Sequence, residues 1–171
     1  ITVSSDALGS LTMHGEGGSS AAGAVDGTAA GNIWDAYMAA ADEPDAAVGA
    51  SGMLVYTLPS VMDDLTLVAS YSPKGTGYAS STSWSATYSG VEGLSVTYAA
   101  GEDNASGTSE ADQTVLKASY AYGPLTVAYS NSEYDDEAAS EAGDEETTAW
   151  QVSYTVSDNL SVSYGAEEHS K

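Results

Sequence analysis

The side chains in this chain that could do chemistry are mostly carboxylates. His14 and Glu16 stand two apart in "LTMHGEG", alternating with Leu11, Met13 and Gly15. On a strand that spacing puts the imidazole and the carboxylate on one face, but catalysis or metal ligation needs further partners at fixed distances. "GEDNASG" (101–107) and "YDDEAASEAGDEE" (134–146) carry enough oxygen ligands for weak Ca²⁺ or Mg²⁺ binding. Neither has EF-hand spacing or a glycine-rich nonapeptide repeat, so solvated loops are the simpler expectation. Asp35, Asp42, Glu43 and Asp45 form a third acidic group, in "GNIWDAYMAAADEPD". No nucleophile–base set, dinucleotide fingerprint or phosphate loop occurs, and "GVEG" and "GEGG" are turns. The expectation is a protein that is not an enzyme, with no cofactor and no dedicated metal site.

The charge balance narrows the partners. Twenty-five Asp and Glu stand against three Lys and no Arg, a formal charge of −22. Such a chain cannot neutralise phosphates, which excludes nucleic acid, and it attracts small cations. There is no Cys, so disulfides and thiolate metal sites are ruled out. The length of 171 residues suits one domain, and the 42% hydrophobic content, in an orderly pattern, separates it from acidic disordered chains. No run approaches the ~18 apolar residues of a membrane helix. A β-barrel crosses a membrane without one.

The elements that would position these residues are strands. In "TAWQVSYTVSDNLSVSYG" (148–165), Trp150, Val152, Tyr154 and Val156 alternate with small polar residues, and Leu160, Val162 and Tyr164 resume after the turn. The same form recurs at 81–103 and 114–133, more loosely at 52–74 and 1–17. Period-two alternation separated by Gly, Pro, Asn and Asp predicts ten antiparallel strands in five hairpins. Turns inside hairpins are short. Connections between them, at 18–51, 75–80, 104–112 and 135–146, are mostly longer and acidic. Short turns at one end and long loops at the other mark a transmembrane barrel. Ten-residue strands of about 33 Å, tilted by ~40°, give a height of about 25 Å, the thickness of the barrel's apolar band.

Charge placement separates a membrane sheet from a soluble one. No acid lies within 65–71, 83–88, 94–98, 114–122, 125–129, 148–156 or 160–164. The one charge inside these spans is Lys117, whose parity sets it with Ser119 opposite Leu116, Ala118 and Tyr120. A charge on the lipid face costs ~2–4 kcal/mol near the midplane. A solvent-facing sheet would carry Lys and Glu where this one has Ser and Thr. The aromatics Trp84, Tyr88, Tyr98, Tyr120, Tyr129, Trp150, Tyr154 and Tyr164 fit an interfacial girdle. Cross-strand packing in any sheet is the alternative.

With "DDLTLVASYSPKGTG", "YSGVEGLSVTYAAGEDN" and "TAWQVSYTVSDNLSVSYGAEEHSK", the chain resembles Gram-negative outer-membrane porins of the general-diffusion class, and is similar to those of marine alphaproteobacteria. The resemblance is strongest over 52–171. It implies part of a sixteen-stranded barrel, a homotrimer, and a third loop folded into the pore. Residues 18–51 would be that loop, with a short helix capped by Asn32 and stopped by Pro44. Asp35, Asp42, Glu43 and Asp45 would then form a cation-favouring constriction, and His14, Glu16 and Lys117 would line the wall. It further implies lipid, lipopolysaccharide and small hydrophilic solutes as partners. The arginine cluster and C-terminal aromatic of such porins have no counterpart here, and the expectation is an internal segment, strands five to fourteen.

Two functions compete on the sequence: passive diffusion through a water-filled barrel, or a secreted or surface β-sandwich acting as an adhesin or Ca²⁺-loop binder. They differ in where the greasy face looks. A sandwich buries it against a second sheet, and a porin turns it to lipid.

Overall fold

The computed structural model describes residues 1–31, 52–76, 79–104, 110–136 and 144–170. Ten strands follow in chain order: β1 (Thr2–Ser5), β2 (Gly9–Met13), β3 (Leu54–Thr57), β4 (Leu65–Ser72), β5 (Ser81–Tyr88), β6 (Leu94–Asp103), β7 (Ala111–Tyr122), β8 (Leu125–Asp136), β9 (Glu145–Ser157) and β10 (Leu160–Ser170). They form one sheet in the order β1 to β10, every neighbouring pair antiparallel. This is the expected five-hairpin meander. The sheet is open: among the described residues β1 and β10 are its two edges. The helix expected after Asn32 falls outside the described residues.

The turns follow from local chemistry. Gly93 takes φ +78°, a left-handed conformation open to glycine, and a Cβ there would run into the Ala121 carbonyl oxygen. Leu94 N–H closes this turn on Val91 O at 2.9 Å, and Ala121 N–H donates to Gly93 O at 2.8 Å. The turn between β7 and β8 has two residues, Gly123 and Pro124, with Gly123 also left-handed.

The two faces have opposite character. Leu94, Val96, Tyr98, Leu116, Tyr120, Val127, Tyr129, Trp150, Val152 and Tyr154 share one side. Most of its large side chains are exposed, Trp84 by 47% and Tyr154 by 50%. The opposite side buries small and polar groups: Ser70, Ser83, Ser85, Thr97, Gln113, Ser130 and Thr147, with Ala99 and Ala149 at 0%. A water-soluble sheet has the reverse arrangement. We call the exposed apolar side outer and the polar side inner.

The outer apolar band runs obliquely to the strand register. Its first carboxylates at the long-loop end are Glu102, Asp112, Glu133, Glu146 and Glu168 on β6 to β10. Glu102 pairs level with Asp112, but Asp112 pairs with Asp135, so Glu133 lies two residues nearer the short turns. Glu133 pairs level with Glu146; Glu146 pairs with Ser170, so Glu168 again lies two residues nearer. The short-turn end slips in the same sense: Leu94 pairs with Tyr120 and β7 runs on to Tyr122, while Leu125 pairs with Tyr154 and β9 runs on to Ser157. Two residues of rise over two strand spacings is roughly 7 Å in 10 Å, a slant of about 35°. That is the strand tilt of a membrane barrel. A level apolar band requires tilted strands here.

Candidate functional site: the inner face and the segment laid on it

After β2 the chain turns onto the inner face. His14 extends the β2–β3 ladder, its N–H donating to Met53 O at 2.9 Å and its C=O accepting Gly52 N–H at 2.8 Å. It shares the parity of half-buried Thr12, opposite exposed Met13. Glu16 lies past the last ladder bond and is exposed. Residues 20–31 then run across the sheet in short turns, closed by Ala24 N–H to Ser20 O, Val25 N–H to Ala22 O and Gly31 N–H to Thr28 O.

The wall meets this segment strand by strand. Ser70 of β4 accepts the Ala21 N–H at 2.9 Å, and Ser83 of β5 accepts the Ala22 N–H at 3.2 Å. Ala22 and half-buried Val25 pack on Ala99 of β6 and Val115 of β7. Ser130 of β8 accepts the Ala29 N–H at 2.8 Å. The Gln151 amide of β9 donates to Ala30 O at 3.5 Å, and Thr28 Oγ1 donates to Glu167 of β10 at 3.1 Å. From β4 to β10 is six strand spacings, about 29 Å on a flat sheet. The seven residue steps from Ala21 to Thr28 reach at most about 25 Å fully extended, and here they are folded into turns. The sheet therefore curls around the segment, with the polar face inside.

Asp26 and Lys117 are the charges at the middle of this crossing, within electrostatic reach of each other. Burial pushes the Asp26 carboxyl above the ordinary carboxylate range, opposed by its own and Gly27's backbone N–H and by Lys117. Further along the inner wall Thr147 Oγ1 and His169 Nδ1 share a hydrogen bond of 2.8 Å. Among the described residues no group of three His, Cys, Asp or Glu is placed to hold a metal ion.

Of the wall residues expected from the sequence, Lys117 lies on the inner face of β7 and His14 at the end of β2, with β3 to β6 between them. Asp35, Asp42, Glu43 and Asp45 lie outside the described residues. All eight aromatics expected on the outer side are exposed, with Trp84 packed on Tyr98 at 5.5 Å and Trp150 on Tyr164 at 5.6 Å between ring centroids. Sequence reasoning missed Ser70, Ser83, Ser130 and Asp26. The unbroken Ser and Thr of the inner positions was the available signal, but alternation does not say which hydroxyl meets which backbone N–H.

A curled antiparallel meander, apolar outside and polar inside with a loop laid on its inner wall, defines the class: the wall of a β-barrel. The Gram-negative porin family model matches residues 2–171. The chain belongs to the Gram-negative porin family. No curated protein matches it significantly.

Proposed function

We propose that the chain forms the wall of a water-filled channel in the bacterial outer membrane, passing small hydrophilic solutes by passive diffusion with cations favoured. One observation carries this: a single sheet exposes its large apolar side chains and turns its hydroxyls toward a loop on its inner face. A sandwich would need a second sheet over Trp84, Tyr129 and Trp150, and the described strands make only one.

The loop at 18–51 narrows the water path, and Asp35, Asp42, Glu43 and Asp45 make the constriction acidic. Size and field then set selectivity, with no cofactor and no conformational cycle. His14, Glu16 and Lys117 line the wall, and the outer aromatics sit at the lipid interfaces. The outer edges of β1 and β10 require strand partners in lipid, because an unpaired backbone group there costs several kcal/mol. A closed barrel in a homotrimer satisfies them. The acidic loop ends meet lipopolysaccharide through bridging Ca²⁺ or Mg²⁺.

The test is planar-bilayer recording with the purified full-length protein in a salt gradient. Stable conductance steps with a cation-selective reversal potential support the proposal. Anion selectivity, or no channel, contradicts it.

A further inference from the structure

We propose that Ser70, Ser83 and Ser130 are positioning residues, whose hydroxyls hold the inward segment against the wall and so set the width of the water path by neutral hydrogen bonds rather than by charge. This rests on the channel function proposed above.

The hydroxyls are placed for the task. Ser70 and Ser83 are direct cross-strand partners, both nearly buried, with Oγ atoms 2.7 Å apart. Each takes one N–H from consecutive residues of the segment, Ala21 and Ala22. Ser20 Oγ accepts the next N–H, of Gly23, at 3.0 Å. Four strands beyond β4, buried Ser130 accepts the Ala29 N–H. The segment is thus held near both ends by short side chains with one rotatable carbon–carbon bond, which keep its backbone close to the wall. Ala22, Ala99 and Val115 fill the space between. Where the serines hold the segment, its residues are alanines, Ala21, Ala22 and Ala29, and Val25 packs on the wall between them.

Neutral bonds matter in a chain of this charge. A segment held by ion pairs would loosen as salt screened them. The serine contacts carry no net charge, so the parts of the segment they hold should keep their position across ionic strengths while the ion selectivity changes.

The experiment compares parent, S70A/S83A, S130A and S70T/S83T by single-channel recording across a salt series. Barrel assembly is checked by heat-dependent migration in detergent. Loss of the hydroxyls strands buried N–H groups and frees one end of the segment. The expected result is subconductance switching about tenfold more frequent in S70A/S83A. Its reversal potential stays at the parent value, and the threonine variant, which restores the acceptors, returns to parent behaviour. S130A shows the same switching from the other end if the double variant does not assemble. Alanine variants that assemble and conduct as the parent does overturn the serine assignment and leave the channel intact. A parent protein that forms no channel overturns both.

Discussion

Lys117 of β7 lies within electrostatic reach of Asp26 of the inward segment, a strand cation beside a loop carboxylate. Removing the cation leaves the carboxylate uncompensated in the water path. It also removes a repulsion on each passing cation, and two unit charges ~8 Å apart in a water-like medium interact by roughly 0.5 kcal/mol. Lys117→Gln should therefore raise the cation-to-anion permeability ratio about twofold, read from the reversal potential, with the barrel's stability unchanged.

The same carboxylate gives a pH dependence. The folded pKa of Asp26 lies above its unfolded value, chiefly through burial. The docked segment therefore binds more protons than the released one. Docking is favoured below the unfolded carboxylate value, near ~3.9, and weakens as pH rises through the folded value. Subconductance switching should become rarer on acidification, and Asp26→Asn should abolish that trend.

The outer face predicts an asymmetry between neighbouring positions. Val127→Lys places a charge among Tyr120, Val152 and Tyr129, and should destabilise the folded protein in bilayers by ~2–4 kcal/mol. Ser153→Lys, on the inner side of β9, should cost little and shift selectivity toward anions. Urea unfolding in lipid vesicles and reversal potentials read the two effects.

Gly93→Ala tests the turn chemistry. A left-handed φ with a Cβ driven into Ala121 O should cost about 1–3 kcal/mol. The unfolding midpoint should fall, while Gly15→Ala, where a Cβ would meet open space, should leave it unchanged.

Glu102, Asp112 and Asp135 form a cross-strand row of like charges at the long-loop end, with Glu133 opposite Glu146 beside it. Such pairs repel. Stability should rise with ionic strength and with added Mg²⁺ or Ca²⁺, and fall on chelation in low salt, measured by the same unfolding assay.

The sheet was legible in the sequence because its determinants are local and periodic. Leu94, Val96 and Tyr98 against Ser95 and Thr97 name both the strand and its two faces, and "SGVEG" names the turn. The absence of carboxylates from the strand spans, where Lys117 is the one charge, was the sequence's argument for lipid on the apolar side. The tilt was not legible, since it lies in how Asp112 registers with Asp135 rather than Glu133, a relation between strands. The seat of the inward segment was hidden for a similar reason. Ser70 and Ser130 look like any other inner hydroxyl until the backbone of Ala21 and Ala29 is laid on them. Asp26, one acid among twenty-five, had no local mark of its encounter with Lys117.

The central claim is that the apolar side of this sheet touches lipid and the polar side touches water. The chain has no cysteine, so single cysteines report without a background. With Val127→Cys and Ala128→Cys in liposomes, adjacent positions on opposite faces of β8, a water-soluble thiol reagent and a lipid-phase nitroxide quencher read each face. The account predicts that the thiol of the Ala128→Cys variant reacts with the aqueous reagent, and that a fluorophore on the Val127→Cys variant is quenched from the lipid. Protection of position 127 from both probes, as in the interior of a two-sheet protein, would contradict it.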